Sequence, residues 1–374
     1  MIPSLQGIRV LDFSTLLPGP FATLMMAEAG ADVLKIERPG NGDEMRRSEA
    51  NFALLNRGKR SLVLDLKDPQ DRARLQPLLE SADVLVEQFR PGVMERLGLD
   101  YEVLSRVNGG LVYCSITGYG TNGPDALKVG HDLTYAAEAG LLAQTAGADG
   151  VPIMPPTLIA DIGGGTYPAF MNVLLALFQR TRSGRGCRIE VSMFDNIFPF
   201  LQHCFAAAYG RGHWPLPGDA LETGASPRYR IYRTGDGRFL TVAPGEDRFW
   251  RNFCEVISLA PQFIDDRCDP AATSAAVAML IRSRTAAEWE QAFRGRDVAC
   301  AVVRTFQEAV HSAQFISRDL LRRRVRSAEH ELPALPLPLA ECFRDIVRTR
   351  PAPVLGESAA RWLTSPEANA QEHV

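Results

Sequence analysis

Cysteine is scarce here and follows no pairing pattern. The seven, Cys114, Cys187, Cys204, Cys254, Cys268, Cys300 and Cys342, are scattered, odd in number and include no Cys-x-x-Cys pair. That argues against a disulfide framework and a structural zinc site, and leaves reduced, mostly structural thiols. No apolar run approaches the length of a membrane span. Met1-Ile2-Pro3-Ser4 leads straight into a strand-like segment without the tripartite pattern of a secretory signal, and Gln371-Glu372-His373-Val374 is not a peroxisomal address. An excess of one charge is also missing: 41 Lys and Arg stand against 44 Asp and Glu, a formal charge of −3. No whole-protein field suited to nucleic acid follows, so an anionic ligand would need a local basic site. Internal repeats and low-complexity segments are absent. The expectation is a soluble, cytoplasmic protein that engages neither membrane nor nucleic acid.

What is present fits a large enzyme-sized chain. At 374 residues, 46% of them hydrophobic, it exceeds the size at which one core keeps growing, so two domains are expected. The N-terminal half alternates strands and helices. Ile8–Phe13 and Asp32–Ile36 read as strands around a helix from Phe21 to Ala29. Ser61–Leu66, Gln70–Glu80 and Asp83–Val86 repeat the unit, and Leu111–Ile116 is the next strand. Such alternation predicts a parallel, doubly wound α/β sheet of Rossmann-like form. Gly118-Tyr119-Gly120-Thr121-Asn122-Gly123 fits G-x-G-x-x-G, but Pro124 follows and no apolar helix opens at the third glycine. The dinucleotide fingerprint needs that helix N-terminus for the pyrophosphate, so nicotinamide and flavin chemistry are disfavoured.

Two chemically capable residues flank regular structure in the stretch from Gly118 to Arg180. His131 lies in Gly130-His131-Asp132. Asp161 precedes Gly163-Gly164-Gly165 and a run with apolar residues at helical spacing, which puts it at or just before a helix N-terminus. Spacing alone fits a helix cap and a core histidine as well as it fits a site. Basic residues collect on the loops of this half: Lys35, Arg38, Arg46 and Arg47; Arg57, Lys59 and Arg60; Arg90 and Arg96. Loops after different strands converge at the carboxyl ends of an open α/β sheet, where arginines can clamp phosphates; an ordinary solvated surface fits the same residues.

Several blocks in fixed order carry a resemblance. Gly7-Ile8-Arg9-Val10-Leu11-Asp12, Pro18-Gly19-Pro20-Phe21-Ala22, the run Gly30–Asp43, Asn56-Arg57-Gly58-Lys59-Arg60-Ser61, Phe89-Arg90-Pro91-Gly92 and Arg182-Ser183-Gly184-Arg185-Gly186 resemble the family III CoA-transferases and α-methylacyl-CoA racemases. Arg350–Glu357 is similar to the family's C-terminal signature, with Ser358 where many members have histidine. Racemase-type members resemble this sequence in carrying histidine at His131, where transferases usually have tyrosine or another residue. Asp161 falls on the catalytic carboxylate of both branches, and Glu246 on the racemase glutamate that pairs with the histidine. The transferases' glycine-rich loop matches Leu221–Tyr229, which here holds a single glycine.

The resemblance implies an acyl-CoA substrate, no separate cofactor and no metal. It implies inversion at the α-carbon of a 2-methylacyl-CoA, with His131 and Asp161 as the two bases and Glu246 orienting the imidazole; the Gly163-Gly164-Gly165 amides are candidate enolate donors. The alternative it leaves open is CoA transfer between acids with Asp161 as nucleophile. CoA is expected along Arg38, Lys59, Phe89, Arg90 and Arg96. A large domain over 1–200, completed by 335–374, and a small α+β domain over 215–325 are expected, assembled as an interlocked homodimer.

Overall fold

Six short strands carry the first half of the chain, and their Val, Leu and Ile content suits burial on both faces. The computed structural model describes residues 3–145 and 150–357. Ser358 and the tail after Pro366, expected to fray, lie outside the described residues. Two compact units are present: Met1–Ala139, Pro155–Phe200 and Asp319–Val374 make the first, Gly140–Met154 and Leu201–Arg318 the second, each taken over its described residues.

In the first unit the order is β1 (Arg9–Asp12), α1 (Pro18–Glu28), β2 (Asp32–Glu37), α2 (Glu49–Asn56), β3 (Arg60–Val63), α3 (Pro69–Ser81), β4 (Val84–Glu87), α4 (Val93–Leu97), α5 (Tyr101–Val107), β5 (Val112–Thr117), α6 (Asp132–Glu138), α7 (Tyr167–Ser183) and β6 (Arg188–Ser192). The strands align as β3-β2-β1-β4-β5-β6, every neighbour parallel. All residues of β4 and β5 are buried, as a sheet covered by helices on both faces requires. One face packs Leu11, Leu34, Leu85 and Tyr113 with Leu75, Leu78 and Leu104 of α3 and α5. On another side Phe21, Leu24 and Met25 of α1 meet Leu55 and Leu337. The chain winds outward from β1 to β3 and then restarts at β4 beside β1. That reversal opens a crevice outside the carboxyl ends of the strands.

Strand β6 and helix α2 were not legible as elements. Arg188 and Glu190 break the apolar pattern of β6, an edge strand with its first three residues incompletely buried. The helix expected from Gly163 begins earlier, as a π-helical turn over Ile159–Thr166 that runs directly into α7. Asp161 therefore lies within its first turn rather than ahead of it. Residues 319–357 return to this unit, where Arg324–Arg326 pairs with both Glu331–Pro333 and Thr349–Pro351.

The second unit holds a three-stranded antiparallel sheet of β7 (Arg230–Arg233), β8 (Phe239–Val242) and β9 (Cys300–Val302). Helices Asp247–Ile257, Pro270–Arg282 and Ala286–Phe293 cover it around Trp250, Phe253, Trp289 and Phe293. Both indoles are satisfied: Trp250 Nε1 donates to the Ile264 carbonyl at 2.7 Å and Trp289 Nε1 to that of Ile281 at 2.8 Å. All seven cysteines are free thiols. No helix of the described residues is long and apolar enough to cross a membrane.

Candidate active site

The crevice that the strand order predicts is an open cavity of about 760 Å³. Phe13, Ser14 and Thr15 line it after β1, Glu37 and Arg38 after β2, Leu64 to Lys67 after β3, and Phe89, Val93 and Arg96 after β4. Contributions from four consecutive strand ends make this the place where a long, flexible, phosphate-bearing ligand would lie.

Burial sorts the loop cations into two groups. Lys35 is wholly buried, its Nζ 2.9 Å from Asp43 Oδ2 and donating to the Ser14 carbonyl at 2.6 Å. Arg46 grips Glu37 in bidentate fashion, Nε to Oε2 at 2.8 Å and a terminal nitrogen to Oε1 at 2.6 Å. Arg57 is buried against Glu28 at 2.8 Å. Lys59, expected along CoA, is wholly buried: its Nζ donates to Asp12 Oδ2 at 3.1 Å, the Pro20 carbonyl at 2.8 Å and Asn56 Oδ1 at 2.8 Å. Three acceptors use all three of its protons, and none remains for a ligand. Burial pulls this ammonium down to about 8, with the Asp12 charge opposing. Lys35, Arg46 and Lys59 thus tie the ends of β1 and β2 to neighbouring chain, while Arg57 ties the end of α2 to the end of α1. Arg38, Arg90 and Arg96 remain exposed. Arg38 donates to the Gly42 carbonyl at 3.1 Å and pairs with Glu44 at 3.2 Å, a solvated contact that a phosphate could replace. Arg38, Phe89 and Arg96 share the large cavity; Arg90 and Phe89 also line a small neighbouring hollow with Glu87.

Asp161 and His131 are brought together in the first unit. His131 caps α6 with an exposed side chain, and its main chain is fixed: its N–H donates to Thr134 Oγ1 at 2.9 Å and its carbonyl accepts from Thr134 N at 2.8 Å. Tyr135 stands behind it, its hydroxyl donating to the Gly130 carbonyl at 2.7 Å and its ring edge-on to Tyr119 at 5.1 Å. The residue after His131, Asp132, is buried and accepts a hydrogen bond from Asp161 N at 3.0 Å on Oδ1. Nothing in the sequence links Asp132 to a partner 29 positions away.

The electrostatics follow from this packing. Burial, then the adjacent Asp132 charge, pushes the Asp161 carboxyl up to about 6, with His131 acting in the opposite direction. Burial also raises Asp132 above its usual range, while the amides of Asp161 and Ala160 lower it. Tyr135 is pushed up to about 12 by burial and then by Asp161. A carboxyl poised near neutrality can both take and return a proton.

The glycines after Asp161 are a steric requirement. A Cβ on Gly164 would lie 2.6 Å from the Met193 carbonyl oxygen, and one on Gly163 would lie 2.7 Å from the Phe200 ring. The Asp161 turn thus sits against the chain leaving β6, and Asn196 Nδ2 donates to the Gly164 carbonyl at 2.8 Å. Glu246 belongs to the second unit, exposed at the start of helix Asp247–Ile257, and its side chain makes no capping bond there.

Known proteins resemble this chain along nearly its whole length. The model of CoA-transferase family III matches residues 5–359. The human alpha-methylacyl-CoA racemase is 34% identical over 364 residues, covering 96% of this chain and 92% of its own. The acetyl-CoA:oxalate CoA-transferase of Acetobacter aceti is 33% identical over 383 residues, covering 97% and 96%. The crystal structure of Rv3272 from M. tuberculosis superposes with a TM-score of 0.83 at 29% identity, covering 96% of this chain and 99% of that one. With the family model matched across nearly the whole length, this chain belongs to CoA-transferase family III.

Proposed function

We propose that this protein epimerises the α-carbon of a 2-methylacyl-CoA thioester by two-base proton transfer. The observation that carries the reading is a carboxyl poised near neutrality, Asp161, hydrogen-bonded through its own amide to the residue that follows His131. One of the two groups removes the α-proton and the other returns a proton to the opposite face of the planar enolate. In that exchange one C–H bond breaks and one forms, with no net change in the thioester. The CoA moiety lies in the crevice along Arg38, Phe89 and Arg96, with Arg90 at its edge, and supplies binding energy remote from the reacting carbon. Glu246 orients the imidazole. The Gly163-Gly164-Gly165 segment is the candidate source of amides facing the enolate oxygen. CoA is part of the substrate, and no separate cofactor or metal takes part.

The functional form in this reading is a cytoplasmic, interlocked homodimer. Met171, Leu175 and Phe178 lie exposed along α7, an apolar row that a second subunit would cover.

A second reading keeps the same carboxylate. Asp161 would attack the thioester carbonyl, expel CoA as a thiolate and form an acyl-aspartyl anhydride. The thiolate would then attack the aspartyl carbonyl, releasing the donor acid and leaving an aspartyl-CoA thioester, which the acceptor carboxylate attacks to form a second anhydride whose acyl carbon takes back the CoA thiolate and frees Asp161. The likeness to the Acetobacter aceti transferase favours it. The separating experiment incubates 2-methylacyl-CoA with the protein in heavy water without acceptor acid. Deuterium at the α-carbon, lost in Asp161→Asn and in His131→Gln, supports epimerisation. No exchange, with CoA transfer once a dicarboxylate is added, overturns it.

A further inference from the structure

We propose that Asp132 is a positioning residue for Asp161, fixing the main chain of the turn that carries it and holding a buried negative charge beside its carboxyl. The inference rests on Asp161 being the reacting carboxylate, as proposed above.

Three observations converge on Asp132. Its Oδ1 accepts from Asp161 N at 3.0 Å, so the carboxylate holds the first turn of the π-helical segment where no residue of that segment can. It is buried, so its charge is poorly screened. It directly follows His131, whose own main chain is pinned by Thr134, so one residue couples the placement of both candidate bases.

Among the described residues, the charged surroundings of Asp161 are few. Helix α6 presents Asp132, His131 at its cap and the phenol of Tyr135. Arg90, after β4, acts on Tyr135. From α1 and the chain after β6 the turn meets Pro18 and Met193, at Gly165 and Gly164. The one acid of α1, Glu28, lies at its far end, held by Arg57 and Arg344. α7 follows with Tyr167 and Pro168. Asp132 is thus the negative charge placed to keep Asp161 protonated at a higher pH than burial alone would.

The test reads the Asp161 carboxyl directly, by NMR of protein labelled with 13C at the aspartate side-chain carboxyl carbon, its resonance assigned by loss in Asp161→Asn. In Asp132→Asn the acceptor oxygen remains and the charge goes; the Asp161 midpoint is expected to fall by about one pH unit, with the melting temperature little changed. In Asp132→Glu the charge remains and the geometry moves; the midpoint stays high while α-proton exchange slows. An Asp161 midpoint unchanged in Asp132→Asn overturns the inference, because a purely structural role would leave it in place. Wild-type protein that shows no α-proton exchange but a shifting midpoint would sink the racemase reading and leave this one standing.

Discussion

Lys59 Nζ lies 3.1 Å from Asp12 Oδ2 with both side chains wholly excluded from water. Breaking such a pair strands the partner charge, which is destabilising by about 3–5 kcal/mol. Lys59→Ala is therefore expected to lower the melting temperature steeply. Arg38→Ala and Arg96→Ala, at exposed positions on the crevice, should leave thermal stability within a degree or so and weaken CoA binding about tenfold by calorimetry. A stable Lys59→Ala protein with selectively weakened CoA binding would restore Lys59 to the ligand site.

Asp161→Asn should reduce α-proton exchange by about 10²–10⁴-fold, the usual worth of a positioned general acid or base. The same substitution should stabilise the fold at neutral pH. Asp161 is pushed up to about 6 from 3.8, so its protonated form is the one the fold favours. That contribution is fully present below about pH 4 and is lost as pH rises through 6. At pH 7.5 the neutral amide removes a penalty of about 2 kcal/mol, discounted for the water reaching this part-buried group. Calorimetric melting at pH 5 and 7.5 checks it: the gain should appear mainly at the higher pH.

Glu87 closes β4 in near-complete burial, with Phe89 N donating to its Oε2 at 2.8 Å. Burial pushes it up from 4.5 to about 7, outweighing the opposing hydrogen bonds of Ser115 and the Phe89 amide and the weaker pull of Arg188. A raised carboxyl stabilises the fold below its unfolded value and loses that contribution as pH rises through the folded one. Stability should thus decline between pH 4.5 and 7 by about 3 kcal/mol from this group. Glu87→Gln should flatten that slope in denaturant titrations across the interval; an unaltered slope would assign it to other groups.

Gly164→Ala forces a methyl against the Met193 carbonyl oxygen, a backbone atom that cannot swing away. The turn bearing Asp161 must shift. Loss of exchange activity with folded, CoA-binding protein is expected, whereas Gly184→Ala in the turn ending α7, which has open space around it, should leave exchange intact despite a strained positive φ.

The doubly wound sheet was legible because its strands are short apolar runs punctuated by Gly and Pro, and β1, β2, β4 and β5 lie within a residue or two of where those runs end. Helix Ala286–Phe293 is the kind of element a sequence marks locally, since Thr285 and Glu288 form a capping box at its start. Arg188 and Glu190 concealed β6, because an edge strand does not need an apolar run. The loop cations were legible as a set but not individually. Whether an arginine faces a crevice or a buried glutamate depends on contacts such as Arg57 with Glu28, 29 positions distant, which no local pattern encodes. The same limit hid Asp132. His131 and Asp161 stood out through the family's blocks, while the residue joining them is defined only in three dimensions.

Glu28 ends α1 holding Arg57 from the early chain and Arg344 from 316 positions further on, with Arg323 beside them at 3.5 Å. During synthesis that carboxylate has Arg57 alone until nearly the whole polypeptide has emerged. The first unit consequently cannot reach its final state in the order in which it is translated. The first helix of the unit is completed by residues near the end of the chain, so a chain stopped short of Arg344 would carry the parallel sheet with that corner still unlocked.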